Sequence, residues 1–501
     1  MRHRLSELAL VVGSVACGSS VPARPQLVVV IDTDLPVPAD PNNPAPQQAT
    51  PALVDTARIE VVQKGTTTLV CQTPSDCSRD FALDQTQLGR HLVSFGLVSD
   101  GNASELRIRL FRHDAVDAYG QPVPGATDEV RAVPTLPDHS VVTETFVVPG
   151  DDWGQSGTSA PTVQGVLGSP PASVVGTWAS AQPTPCSTAP RTDSGDFDGE
   201  ECIPGGAFLR DAQSGALVSW QFGVFDDARA VIMSPFLIDE FELTVGRFEK
   251  LSLPAGIAPP TTYSATDTAN PWRAYCTLGS PFPNAEALPL NCLSAATADA
   301  ICAQLGEQLP TETQFAFAAS GREGRLFPWG TAAPEYPSPS DPTDILPCCD
   351  GVVFGRYPPG PAVTGVVYDE CSGTSPAPPS GPYPAQPEVV YGILKRALTS
   401  TCSTVLDVSR DGVAGLGGNL EEWTADYYED QGCWTTNTPQ RDPVCPAPAT
   451  GTPYRSVTGA SWLDAPGQQG SGLRQSEAAL DPMHDHAGTG FRCARPAGTQ
   501  P

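Results

Sequence analysis

Lysine is almost missing from this sequence. Only Lys64, Lys250 and Lys395 occur, and 56 acidic residues against 28 basic ones leave a formal net charge of −28. That balance excludes binding to nucleic acid or to an anionic membrane face through the general surface, because both need clustered cations. It fits an extracytoplasmic protein able to hold divalent cations. The preference for arginine over lysine is what GC-rich coding produces and carries no function. Long apolar runs are also scarce: Leu8 to Val15 is far too short to cross a bilayer as a helix. No CxxC pair occurs, so the cysteines do not read as zinc or redox centres. No G-x-S-x-G, P-loop, HExxH or Rossmann pattern sits in the structural context its chemistry needs.

What the chain has instead is 54 prolines, 47 glycines and 15 cysteines in 501 residues. The first two predict much turn and loop, and the length predicts about two to four domains. Arg2 and Arg4, the run Leu8 to Val15 and the small residues before Cys17 read as an export signal. Ser14-Val15-Ala16-Cys17 resembles a bacterial lipobox, with Ser14 where leucine is usual and Glu7 interrupting the early segment. The expectation is a protein lipid-anchored through Cys17 in the cell envelope, at the periplasm or the cell surface; a plainly cleaved signal peptide is the competing reading. Cysteine parity agrees: an odd total less Cys17 leaves an even set for disulfides.

The expected domain plan is a signal peptide over 1–17, a tether over 18–25, a small β-sandwich over 26–150, a linker over 151–201 and a further domain over 202–498. The sandwich rests on Leu27 to Ile31, on Arg58 to Val61, on Leu92 to Val98, on Val141 to Val148, and on the alternation of Leu106, Ile108 and Leu110 with Arg107 and Arg109. Cys71 and Cys77 are expected to staple it. The linker is rich in Pro, Ser, Gly and Asp. Its acidic run, Asp193, Asp196, Asp198, Glu200 and Glu201, lacks the alternation of an EF-hand loop and reads as a solvated charge run closed by Cys186 and Cys202.

In the last region, Phe236 to Val245 has period-two placement of apolar residues and predicts one strand with a bulge or bend. Ser294 is a predicted N-cap before Ala298, Ile301, Cys302 and Leu305, with Gly306 as the stop. Thr311 and Gln314 form a predicted capping box for a second helix ending at Gly321. Cys276 and Cys292 are expected to close the loop before Ser294, and Cys433 and Cys445 a later surface loop. Residues 331 to 411 form a long Pro- and Gly-rich stretch whose Cys348, Cys349, Cys371 and Cys402 are expected to pin it, with pairings left open.

The segments Phe236-Leu237-Ile238-Asp239, Leu309-Pro310-Thr311, Phe327-Pro328-Trp329-Gly330, Gly418-Asn419-Leu420-Glu421-Glu422-Trp423, Ser461-Trp462 and Gly490-Phe491-Arg492-Cys493 stand in an order and at distances that resemble the formylglycine-generating enzyme (sulfatase-modifying factor) family. The resemblance implies an α+β chain whose second domain has a C-type-lectin-like sulfatase-modifying-factor fold with little regular structure. It implies a bridge from Cys302 to Cys493. It also implies a calcium site made by the Glu422 side chain with the carbonyls of Gly418 and Leu420, although the family's side-chain ligand three residues before Gly418 falls on Gly415. The active family members hold copper on two cysteines between the SW and GFRC segments, and this chain has none between Trp462 and Phe491, so copper is not expected. The leading expectation is an envelope-anchored binding or structural module for a protein or glycan ligand, touching the membrane only through its anchor. The alternative is an enzyme of the same fold, formylglycine-generating-like or nonhaem-iron, for which His484 and His486 offer imidazoles that otherwise belong to an exposed loop.

Overall fold

The computed structural model describes residues 24–39, 51–98, 104–113, 116, 119–122, 127–153, 163–168, 174–195, 197–210, 229–281, 285–330, 407–428, 440–449, 453–461, 474–476 and 487–498. The fold is mixed α/β, mostly small sheets with a few short helices. Cys17, Cys348, Cys349, Cys371, Cys402, Cys433, Trp462, His484 and His486 lie outside the described residues.

Two sheets make the N-terminal part. In the first, β1 (Gln26–Thr33) lies between β4 (Ser94–Val98), antiparallel, and β7 (Val141–Val148), parallel. The second has the order β3 (Ser78–Ala82), β2 (Thr56–Gln63), β5 (Ser104–Phe111), β6 (Thr127–Ala132), β8 (Val163–Val166). A one-turn helix, α1 (Gln85–Gly89), starts on Asp84, whose carboxylate accepts from the Gln87 amide. Alternation sorts the side chains: Leu27, Val29 and Ile31 of β1 and Ala57, Ile59, Leu106, Ile108 and Leu110 of β2 and β5 share one core. On the opposite face of the second sheet Arg58 pairs with Asp80 and Arg107 with Asp128 across adjacent strands. Cys71 and Cys77 are bridged.

The stretch expected to be a linker over 151–201 is instead partly interior. Trp153 and Trp178 are 8% and 3% exposed and meet edge to face at 5.6 Å. Trp178 donates its backbone amide to Asp34 and its indole to Asp151. Two large rings outweigh the surrounding polar composition, because burying each removes more apolar surface than the small residues around it expose. The run then crosses to the C-terminal part through a bridge between Thr184 and Gly205. Ala207 and Ile232, from strands of that part, belong to the N-terminal core.

The C-terminal part holds three small sheets. β10 (Gly206–Arg210) pairs with β11 (Arg229–Met233), which pairs with β14 (Gln440–Arg441). β12 (Phe236–Asp239) lies between β9 (Glu200–Ile203) and β18 (Ala494–Pro496). β13 (Glu421–Tyr427) lies between β15 (Arg455–Thr458), which continues to β16 (Arg474–Ser476), and β17 (Thr489–Gly490). The single bulged strand expected from Phe236 to Val245 is corrected. β12 stops at Asp239, and Thr244 caps α2 (Val245–Glu249), accepting from the Arg247 amide. Phe241, Leu243 and Val245 are all buried, but so are Glu242 and Thr244 between them, so the period-two spacing does not mark the one-sided burial of a strand.

The two predicted helices form with their predicted caps. Ser294 caps α3 (Ala295–Gln304), and Gly306 follows it at φ +76°. Thr311 and Gln314 close a capping box on α4 (Glu312–Ser320), which stops at Gly321. Bridges Cys276–Cys292 and Cys302–Cys493 fasten this region, and Cys186–Cys202 fastens its entrance.

Candidate functional site

The segment Gly415 to Asp426 crosses the centre of the C-terminal part. Gly415 and Asn419 adopt φ of +73° and +78°, which folds the chain back on itself before β13 begins at Glu421. A Cβ at position 415 would stand 3.2 Å from Oε2 of Glu242, so strain and space both favour glycine. Asn419 donates its side-chain amide to Glu242 at 2.7 Å. Asp407 accepts from the Gly417 amide at 3.0 Å and from the Gly418 amide. The loop is thus held from both sides by carboxylates.

β13 then delivers Glu422 and Trp423 inward. The Trp423 indole donates to the Leu293 carbonyl at 3.2 Å, just ahead of the cap of α3. Glu422 is fully buried, and so is Arg492. Arg492 Nε lies 3.0 and 2.8 Å from the two Glu422 oxygens and Nη2 lies 2.6 Å from one of them. The remaining donors of Arg492 reach the carbonyls of Asp239, Glu240 and Ala414 at 3.3, 3.2 and 2.9 Å. One guanidinium therefore ties together the end of β12, the loop before β13, β13 itself and the last segment of the chain.

The charge balance is acidic. Burial raises Glu242 to about 8, with Arg492 opposing and Glu422 adding to the rise. Burial likewise raises Asp407 to about 7 against the Gly417 amide and Arg492. Glu422 is raised by burial in spite of Arg492. At the far end of β13, Asp426 accepts from the amides of Glu312 and Cys445 at 2.7 and 2.6 Å and so closes the N-terminus of α4. Burial, then the adjoining Glu312, raises Asp426 to about 7. Glu312 takes Arg210 at 2.9 Å and the Ser456 hydroxyl.

These contacts revise the calcium expectation at Gly418, Leu420 and Glu422. Both Glu422 oxygens are bonded by a permanently charged guanidinium, and Gly415 offers no side-chain oxygen. With both Glu422 oxygens taken by Arg492 and none offered by Gly415, the expected set falls short of the six to eight oxygens calcium takes, and Glu422 does not fit as its side-chain ligand here.

The sequence-marked cysteines behave as fasteners. All the described ones, Cys71, Cys77, Cys186, Cys202, Cys276, Cys292, Cys302, Cys445 and Cys493, are disulfide-bonded. Cys302 and Cys493 stand with Cα atoms 5.5 Å apart.

A second buried cluster carries no motif of its own. Asp239 receives Arg247 at 3.0 Å and Arg191 at 2.9 Å, and Arg191 also meets Glu307 at 2.6 Å. Glu200, expected in a solvated charge run, is 5% exposed and takes Arg495 at 2.6 Å. Its place in β9 against β12 draws it inward, and the two arginines hold it below the ordinary carboxylate range despite burial. Asp193 and Asp198 of the same run accept from the loop's own amides. Asp239, Glu307 and Cys493 lie close enough to share an ion, but Cys493 is in a disulfide and both carboxylates face arginines.

The sulfatase-modifying factor enzyme 1-like domain model matches residues 187–497. Among curated proteins, the inactive Cα-formylglycine-generating enzyme 2 of Bos taurus is 26% identical over 233 residues, 46% of this chain and 58% of that protein. The Mus musculus protein of the same name is 27% identical over 45% of this chain and 55% of its own length. The alignment thus spans a little over half of each relative. Among solved structures, PvdO from Pseudomonas aeruginosa matches with 17% identity and a TM-score of 0.38, over 63% of this chain and 99% of that one. Treponema denticola variable protein 1 matches with 15% identity and a TM-score of 0.31, over 60% and 95%.

Proposed function

Because the chain belongs to the family of sulfatase-modifying factor enzyme 1-like domains, we propose that its C-terminal domain, of C-type-lectin-like fold, is a binding or structural module without copper oxidase activity. The domain follows a small β-sandwich in a protein exported and anchored through Cys17. This reading rests above all on sulfur. Copper-dependent oxidation in this family takes a thiolate pair beside the substrate groove, and thiolates are the ligands that hold Cu(I) there. No cysteine stands between Trp462 and Phe491. Cys493 is bridged to Cys302 and is not available as a thiolate. The name of the two curated relatives, inactive formylglycine-generating enzyme 2, supports the same reading.

The buried polar groups agree with it. Arg492, Glu422, Asn419, Glu242 and Asp426 bond one another or backbone, which is the work of holding an irregular fold rather than of meeting a substrate. The ligand class that fits such a module is a protein or a glycan. The test is to incubate copper-loaded full-length protein with a CxPxR peptide and oxygen and to look by mass for the aldehyde. No product is expected. Copper-dependent aldehyde formation would overturn the proposal.

A further inference from the structure

Arg322 differs from the other buried arginines of this part. It lies just beyond the end of α4 and is 8% exposed, with Nε and Nη1 buried and lacking an acceptor. Arg210 and Arg247 also leave nitrogens unsatisfied, yet each faces a carboxylate, Glu312 at 2.9 Å and Asp239 at 3.0 Å. Among the described residues no carboxylate lies within ion-pair distance of Arg322. A guanidinium does not shed its proton to escape burial, so an uncompensated one is costly unless an anion meets it.

Its surroundings sharpen the point. The Arg322 side chain passes Gly206, where a Cβ would meet its Cδ at 3.1 Å. The nearby acids are engaged elsewhere: Glu323 with Arg410 at 2.9 Å and Arg325 at 3.3 Å, Asp411 with Arg410 at 3.1 Å. Arg325 and Arg410 thus take up the two adjoining carboxylates, and Arg322 is left outside ion-pair distance of either. Burial, and after it the charge of Arg410, lowers the Arg322 pKa against the opposing pull of Asp411 and Glu323.

We propose that Arg322, with Arg410 behind it, is an anion subsite that receives the charged oxygens of a carboxylate or phosphate group. Planar donors and a fixed charge suit such groups. The subsite stands independently of whether the domain has enzymatic activity.

The experiment is thermal unfolding of the full chain in acetate or phosphate, titrated against chloride at matched ionic strength. Saturable stabilisation is expected, which converts to an affinity by linkage. Saturation by acetate alone assigns a carboxylate, and by phosphate alone a phosphate group. Arg322→Gln is expected to weaken the affinity at least about tenfold, as loss of the charged donor implies. If that variant does not fold, Arg410→Gln, which removes the neighbouring charge and leaves Arg322 in place, is expected to weaken it by a smaller factor. No saturable effect of either anion, an affinity unchanged in the variants, or an Arg322→Gln protein more stable than the native one in chloride with no anion response would overturn the assignment.

Discussion

Arg492 and Glu422 form a fully buried ion pair across 70 residues of sequence, with Nη2 and Oε1 separated by 2.6 Å. Removing one partner of such a pair strands the other, which costs about 3–5 kcal/mol. Arg492→Met is therefore expected to lower the unfolding free energy by that amount in urea denaturation. Combining it with Glu422→Gln is expected to cost less than the sum of the two single changes. Strict additivity would show that the two residues are not coupled.

Raised carboxylates set the pH dependence. An acid whose folded pKa exceeds its unfolded one binds more protons when folded, so its contribution is fully present below the unfolded pKa and is lost as pH rises through the folded value. Glu242 and Glu129 are each raised by burial to about 8. Stability is thus expected to fall from about pH 5 to pH 8, starting near the ordinary glutamate pKa. Glu242→Gln should flatten that slope in denaturation curves recorded across the range; an unchanged slope would exonerate Glu242.

The bridge between Cys302 and Cys493 closes a loop of 191 residues. In the chain-entropy account a loop of that size contributes on the order of 5 kcal/mol. The Cys302→Ala/Cys493→Ala double variant should unfold at much lower denaturant than the native protein, and a midpoint within error of native would contradict it.

Gly150 touches the tryptophan pair. A Cβ there would meet the Trp178 ring at 2.4 Å. Gly150→Ala is expected to destabilise by about 1–3 kcal/mol, the usual range for overpacking, and to alter the near-ultraviolet circular dichroism of the indoles. Unchanged spectra and stability would mean that the ring is free to move aside.

Cys17 is expected to be the lipidated first residue of the mature protein. Intact-mass analysis of protein recovered from a membrane fraction distinguishes this from a cleaved, unmodified N-terminus.

Local chemistry made some of this legible in advance. Ser294 and Thr311 mark helix starts because a side-chain oxygen and an amide three residues on suffice to define a cap. Leu106, Ile108 and Leu110 mark a strand because alternation needs only one buried face. The parallel pairing of β1 with β7 joins residues 115 apart and leaves no local trace. Trp178 was obscured by its polar, proline-rich setting. At the site, Asn419, Glu422 and Arg492 could be picked out as motif members, but not that Arg492 holds Glu422. A motif names residues; only the folded chain shows which charges face each other. Arg322 has no sequence signal at all, since its distinguishing property is a partner it lacks.

Ala207 and Ile232 lie in the N-terminal core, and this bears on how the molecule transmits force. Load entering through the first strands passes into the C-terminal domain through packed side chains as well as along the chain. The C-terminal domain is thus seated on the N-terminal sheets by buried side chains, as a bracket seats a lamp. A cut at the boundary where the family match begins would free the domain from that bracket and lay two apolar side chains open to water.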